Sequence, residues 1–125
     1  MAFQKRRSKY GTSEPKHRTV DGITFDSKAE MKRYIALKHD EKTGKITDLR
    51  LQHPKLKWGV KYYTDGKVAI GRAMSYTADF SYYDASGKYV VEDVKGMKTP
   101  EYKRKKKIVK DLFNIDIVEI PAKSC

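Results

Sequence analysis

The feature that most constrains this chain is a short turn. Asp84-Ala85-Ser86-Gly87 separates two strand-like runs, MSYTADFSYY and KYVVEDVK. A three-residue loop with glycine last is a favoured hairpin connection, because its last residue must be left-handed. With Ala85, Ser86 and Gly87 as the loop, the register follows by counting. Asp84 pairs with Lys88, Tyr82 with Val90, Phe80 with Glu92, Asp79 with Asp93 and Thr77 with Lys95. Side chains alternate across a sheet. One face then carries Met74, Tyr76, Ala78, Phe80, Tyr82, Val90 and Val94, with Glu92 as the exception. The other carries Thr77, Asp79, Ser81, Asp93 and Lys95.

Directly opposed like charges destabilise a hairpin. Two carboxylates about 5 Å apart at an effective dielectric near 20 repel by roughly 3 kcal/mol before relaxation. A divalent cation between them would offset that cost, and oxygen ligands of this kind suit Mg²⁺ or Mn²⁺. The plainer alternative is an exposed, solvated face on which Lys95 neutralises the two acids.

The rest of the chain surrounds this hairpin with recognisable elements. TVDGITF (19–25) reads as a tight hairpin turning at Asp21-Gly22. Ser27 caps a helix with apolar residues at Met31, Tyr34, Ile35 and Leu37, which Gly44 ends. Residues 46–60 alternate in two pieces around Pro54, as an edge or kinked strand would. Asp65-Gly66 marks a second hairpin, and strands follow over about 72–83 and 88–95. Thr99-Pro100-Glu101 starts a helix, with a capping Thr, Pro at the first helical position and an acid in the first turn. That helix runs to Phe113, and IDIVEI (115–120) closes the chain as a strand.

Glu30 has two readings. Ser27-x-x-Glu30 fits a capping box, in which the glutamate reaches back to the cap. Glu30 also falls inside the apolar arc of Met31, Tyr34 and Leu37, where it would point at the sheet as a third acid. The last helix, YKRKKKIVKDLF, places Tyr102, Val109, Leu112 and Phe113 on one side and Lys103, Arg104, Lys107 and Lys110 over the rest. Such a run is either a solvated face or a phosphate-binding one.

Charge bears on the partner. The chain of 125 residues carries a formal net charge of +12, with 35% charged and 38% hydrophobic residues. A surface of that sign seeks polyanions, nucleic acid first and an anionic membrane second. Residues 1–18 hold six Lys/Arg and read as a flexible basic arm, and 19–125 as one domain. Within the arm, Lys5, Arg6 and Arg7 would either grasp phosphates or merely solubilise. No apolar run approaches the ~18 residues of a membrane span, and no signal-peptide core is present. The single cysteine, Cys125, excludes an internal disulfide and fits a reducing cytosol. His17, His39 and His53 lack nucleophile or zinc spacing and read as surface residues.

YTADF followed one hairpin later by VVEDVKG resembles the signature of the PD-(D/E)xK nucleases. Asp79 takes the place of the first acid, Asp93 of the second and Lys95 of the lysine, while FDSKAE is similar to the helix that contributes a glutamate, here Glu30. The resemblance covers roughly 23–120 and is greatest to small phage-encoded members of the endonuclease and Holliday-junction-resolvase-like branch. Ala78 stands where the name-giving motif has Pro, and Asp93 where Glu is usual, which leaves Glu92 as a rival acid. Alternation favours Asp93; a bulge at 91–93 would favour Glu92.

The resemblance implies a restriction-endonuclease-like α/β (α+β) fold, a mixed central sheet flanked by helices in the order αβββαβ, preceded here by the N-terminal hairpin. It implies a Mg²⁺-dependent endodeoxyribonuclease, with Mn²⁺ able to substitute. Asp79, Asp93, Glu30 and the carbonyl of Val94 would hold the metal, and Lys95 would assist the attacking water. Gln52 in LQHP would be a site-edge residue, or only a polar position on a half-exposed strand. No base-reading module is recognisable, which favours branched DNA such as a four-way junction, cut by a homodimer in the cytoplasm, that of the host if the protein is phage-encoded. The alternatives are a non-catalytic phage nucleic-acid-binding protein, and a DNA nickase of the same fold without structural preference.

Overall fold

Asp21 and Gly22 both have positive φ, 54° and 76°. The chain therefore reverses tightly between β1 (Thr19–Val20) and β2 (Ile23–Thr24), as the Asp-Gly pair predicts. The structure, a computed structural model, describes residues 14–59, 61–64, 67–70 and 73–125, with the backbone alone over 61–64 and 67–70. Lys5, Arg6 and Arg7 lie outside the described residues. Of the expected basic arm, Pro15–Arg18 form a 3-10 turn.

Helix α1 (Lys28–Lys42) starts at Ser27, whose Oγ accepts the Glu30 N–H at 3.1 Å. It buries Tyr34 and Leu37. Ile35, counted with the apolar arc, faces solvent instead. The chain continues through β3 (Ile46–Leu51) and β4 (Lys55–Trp58), which split at Pro54. Strands β5 (Lys61–Thr64) and β6 (Lys67–Ile70) form an antiparallel hairpin. They are followed by β7 (Met74–Thr77), β8 (Phe80–Asp84) and β9 (Tyr89–Lys95). Helix α2 (Pro100–Phe113) is capped by Thr99, whose side chain accepts the Tyr102 N–H. It ends at Asn114 in the left-handed conformation, and β10 (Ile117–Pro121) completes the order.

The central sheet is β10-β9-β8-β3. Strand β10 runs parallel to β9, the crossover supplied by α2, and the other pairs are antiparallel. With α1, β3, β8, β9, α2 and β10 as their core, the described residues form a mixed α+β fold with a mixed sheet and two α-helices, in the expected αβββαβ order. This arrangement is compatible with a restriction-endonuclease-like fold.

The β8–β9 register is the one counted from the turn: Phe80 pairs with Glu92, Ser81 with Val91 and Tyr82 with Val90. Gly87 has φ 86°, and the Asp84 N–H donates to the Lys88 carbonyl at 2.9 Å.

Two expectations from that hairpin are corrected. The upstream strand is not continuous over 72–83, because it breaks at Ala78-Asp79. Strand β7 leaves the central sheet to pair with β4, so Thr77 lies opposite Lys55 and not Lys95. The Ala78 N–H follows it, donating to the Pro54 carbonyl at 3.3 Å. The break also interrupts alternation. Tyr76 and Ala78 join Val91, Tyr102, Val109 and Ile117 in a core between the sheet and α2, while Phe80 and Tyr82 pack with Phe25, Tyr34, Leu37 and Ile46 beneath α1. On α2, Leu112 was expected inward but is 58% exposed.

Candidate functional site

Glu92 lies on the α1 side and is almost fully buried. Arg33 grips it bidentately, Nε to Oε1 at 2.8 Å and Nη2 to Oε2 at 2.6 Å, and the Tyr82 hydroxyl donates to Oε2. An ion pair so enclosed satisfies both oxygens and leaves the carboxylate no further role. Its neighbour Asp93 points to the other side of β9.

Asp93 is equally buried, at 2% exposure. Its Oδ1 accepts the Asp79 N–H at 2.9 Å, and its Oδ2 accepts the Tyr76 hydroxyl. Asp79 reciprocates, since its Oδ2 accepts the Val94 N–H at 2.9 Å. The two acids are thus cross-tied through backbone donors where β8 opens, which relieves part of the repulsion expected between them. The Asp79 carbonyl accepts the Gln52 N–H at 2.8 Å, tying the end of β3 to the same point. Gln52 itself is left-handed, with φ 51°, an uncommon conformation for a residue other than glycine.

Glu30, Asp26, Asp79 and Gln52 line one cleft of about 450 Å³, walled by Ile23, Phe25, Leu51 and Phe80. Here the two readings of Glu30 separate. Ser27 accepts the Glu30 N–H, but the Glu30 carboxylate makes no return bond to the cap among the described residues. Desolvation raises its pKa to about 8, reinforced by Asp79, then Asp26 and Asp93, and opposed by Lys95. Asp79 is raised to about 6, again chiefly by desolvation and then by Asp93, with the Val94 N–H and Lys95 working the other way. Glu30, Asp79, Asp93 and Lys95 therefore share one electrostatic environment. Lys95 stands 3.7 Å from Asp93 Oδ2 and 4.0 Å above the centroid of the Tyr102 ring.

Among the described residues, no three acidic, histidine or cysteine side chains stand close enough to enclose a metal ion as placed. The donor chemistry nonetheless fits a hard divalent cation. Glu30 and one oxygen of Asp79 accept no hydrogen bond among the described residues, and both groups are desolvated carboxylates that repel each other. Val94 enters the cluster through its N–H, held by Asp79.

On α2, Lys103, Arg104 and Lys107 are exposed and make no ion pair among the described residues. Lys110 is exposed but bonded to Asp116 at 2.9 Å. Lys98 and Lys106 both hold Glu119.

Sequence reasoning missed three residues near the cluster, and a fourth, His53, is less exposed than a surface residue. Asp26 directly precedes the helix cap, the one available signal. Tyr76 was assigned to the opposite face because the strand break was not foreseen. Tyr102 was read only as part of the apolar side of α2. His53 is half-buried, its Nδ1 2.8 Å from Ser81 Oγ.

Fold and site together define a strongly basic α+β protein with a carboxylate–lysine cluster at the strand ends of a mixed sheet. The chain belongs to the family described as protein of unknown function (DUF1064), which matches residues 7–120. No curated protein and no solved structure matches it. Among the described residues, no helix is long and apolar enough to cross a membrane.

Proposed function

We propose that this protein is a metal-dependent endonuclease that hydrolyses phosphodiester bonds in DNA, with branched DNA such as a four-way junction as its preferred substrate. One observation carries this: Glu30 and Asp79 line a cleft of a chain with net charge +12, and Asp93 and Lys95 act on both of them electrostatically. A protein that only bound phosphates would gain nothing from desolvated acids at its open strand ends, because they repel the ligand.

Asp79, Asp93 and Glu30, with the main-chain carbonyl of Val94, would hold Mg²⁺, or Mn²⁺ in its place. Such a cation supplies Lewis acidity at the scissile phosphate and lowers the pKa of the attacking water. The backbone donors cross-tie Asp79 and Asp93 to each other's strands, so the movement that closes the site around a cation would fall mainly on Glu30. Lys95 brings its positive charge to the same point, where it would orient the water or offset the charge that develops on the phosphate. Lys103, Arg104 and Lys107, together with the N-terminal Lys5, Arg6 and Arg7, would hold the backbone without reading bases. Lys110 contributes less, its ammonium already shared with Asp116. Gln52 would border the scissile group from the cleft wall. Paired cuts across a junction require a homodimer, and the setting is the cytoplasm, that of the host if the protein is phage-encoded.

One observation favours a second reading, a non-catalytic nucleic-acid-binding protein: Asp93 is already satisfied by protein donors. A supercoiled plasmid and a synthetic four-way junction, each with Mg²⁺ or EDTA, separate these readings when Asp79→Ala and Lys95→Ala are run alongside. Cleavage that requires Mg²⁺ and is lost in both variants is expected. Binding without cleavage by the wild type would sink the nuclease reading. Plasmid nicking without preference for the junction would leave a nickase of the same fold.

A further inference from the structure

Lys95 does not rest on the acid beside it. Its Nζ is 3.7 Å from Asp93 Oδ2, well beyond the roughly 2.7–2.9 Å of a charge-assisted hydrogen bond. The ammonium sits instead 4.0 Å from the centre of the Tyr102 ring, within cation–π range. That ring is itself anchored. Tyr102 lies in the first turn of α2 and is 7% exposed. Its hydroxyl donates to Glu119 Oε2 at 2.9 Å. Glu119 is gripped in turn by Lys98 at 2.8 Å and Lys106 at 2.9 Å. On the other side, the Tyr76 hydroxyl occupies the very oxygen of Asp93 that Lys95 would seek.

We propose that Tyr102 is a positioning residue that holds the Lys95 ammonium off Asp93 and Asp79, which keeps those carboxylates available to a divalent cation. The inference rests on the metal-dependent reading above and adds to it a device on α2 and β10 that no site motif contains. An ammonium attracts a carboxylate strongly at close range, and a lysine free to move would close the last ångström and neutralise the ligand. An aromatic face attracts the same charge without cancelling it, so the site retains both its acids and its cation.

The test uses the full chain as wild type, Tyr102→Phe, Tyr102→Leu and the double variant Tyr102→Leu/Lys95→Met. Mn²⁺ affinity is read by calorimetry, Lys95 by crystallography and DNA cleavage by gel. Tyr102→Met, closer in volume, replaces Tyr102→Leu should the latter not fold. Tyr102→Phe keeps the ring and is expected to bind Mn²⁺ like the wild type. Tyr102→Leu is expected to bring Lys95 Nζ to about 3 Å from Asp93 or Asp79 and to weaken Mn²⁺ binding about ten-fold. The double variant removes the intruding cation and is expected to regain that affinity, which no general packing defect would do. Unmoved Lys95 with unchanged Mn²⁺ affinity in Tyr102→Leu, in a protein that still cuts DNA, overturns this inference alone. Mn²⁺ binding that depends on Tyr102 in a protein that cuts no DNA overturns the nuclease reading alone.

Discussion

Glu30 offers the sharpest quantitative test, because its ionisation opposes folding. Its pKa rises from an ordinary 4.5 to about 8, so the folded state binds the proton more tightly than the unfolded chain. Stability from this group is fully present below about pH 4.5 and is lost as pH rises through about 8. The rise corresponds to a ceiling of about 5 kcal/mol. Glu30 is only partly buried, so solvent screening reduces that, and about 2 kcal/mol is a sound expectation. In a chain of this length, that is roughly 8 °C in the unfolding midpoint. Glu30→Gln, measured in EDTA, should therefore be more stable than the wild type by about this amount at pH 9 and nearly equal at pH 5. Mg²⁺ should narrow or invert the order at pH 9, stabilising the wild type more than the variant, which keeps Asp79 and Asp93 but has lost the third acid. The assay is thermal unfolding by circular dichroism across pH 5–9, with and without Mg²⁺. If the two proteins show the same pH slope in EDTA, Glu30 does not face the acidic cluster and its role is confined to the helix cap.

Other expectations follow from single contacts. Arg33→Ala leaves Glu92 buried without its cation and should cost about 3–5 kcal/mol in urea unfolding; adding Glu92→Gln should return part of that loss. Gly87→Ala meets open space at its new Cβ, so the φ of 86° alone sets the penalty, and a loss of about 1–2 kcal/mol is expected. Replacing Lys103, Arg104 and Lys107 with Ala should weaken DNA binding uniformly across sequences and flatten the salt dependence by nearly three in the log–log slope. Lys110→Ala should change that slope less, and an equal effect would contradict its pairing with Asp116.

What could be read from the sequence was what short-range chemistry decides. Gly87 and its loop length set the β8–β9 register, and so predicted that Asp93 and Asp79 meet while Glu92 turns away. Ser27 and Thr99-Pro100 placed both helix starts for the same reason, since a cap is a bond over three residues. The break at Ala78-Asp79 was not legible, because MSYTADFSYY alternates without interruption. It arises from pairing of β7 with β4, a contact between segments about twenty residues apart, and it carried Tyr76 to the unexpected face. Arg33 was invisible as the partner of Glu92 for the same cause, at a separation of 59 residues. Tyr102 required knowing how α2 docks, which periodicity describes for one helix but not for its neighbour.

Strand β3 governs how the sheet can grow. Among the described residues it is an edge strand, and between Thr47 and Arg50 its register slips at Asp48, which is left-handed with φ 56°. The irregularity is held in place by α1, since Glu41 Oε2 accepts the Leu49 N–H at 3.1 Å. A strand with a bulge cannot offer another chain an unbroken row of donors and acceptors. Copies of the protein joined by sheet extension would therefore meet along β10, the straight edge, until Pro121 withdraws a donor. Deleting Asp48 would give the protein a second adhesive margin, visible in light scattering as slow, concentration-dependent growth.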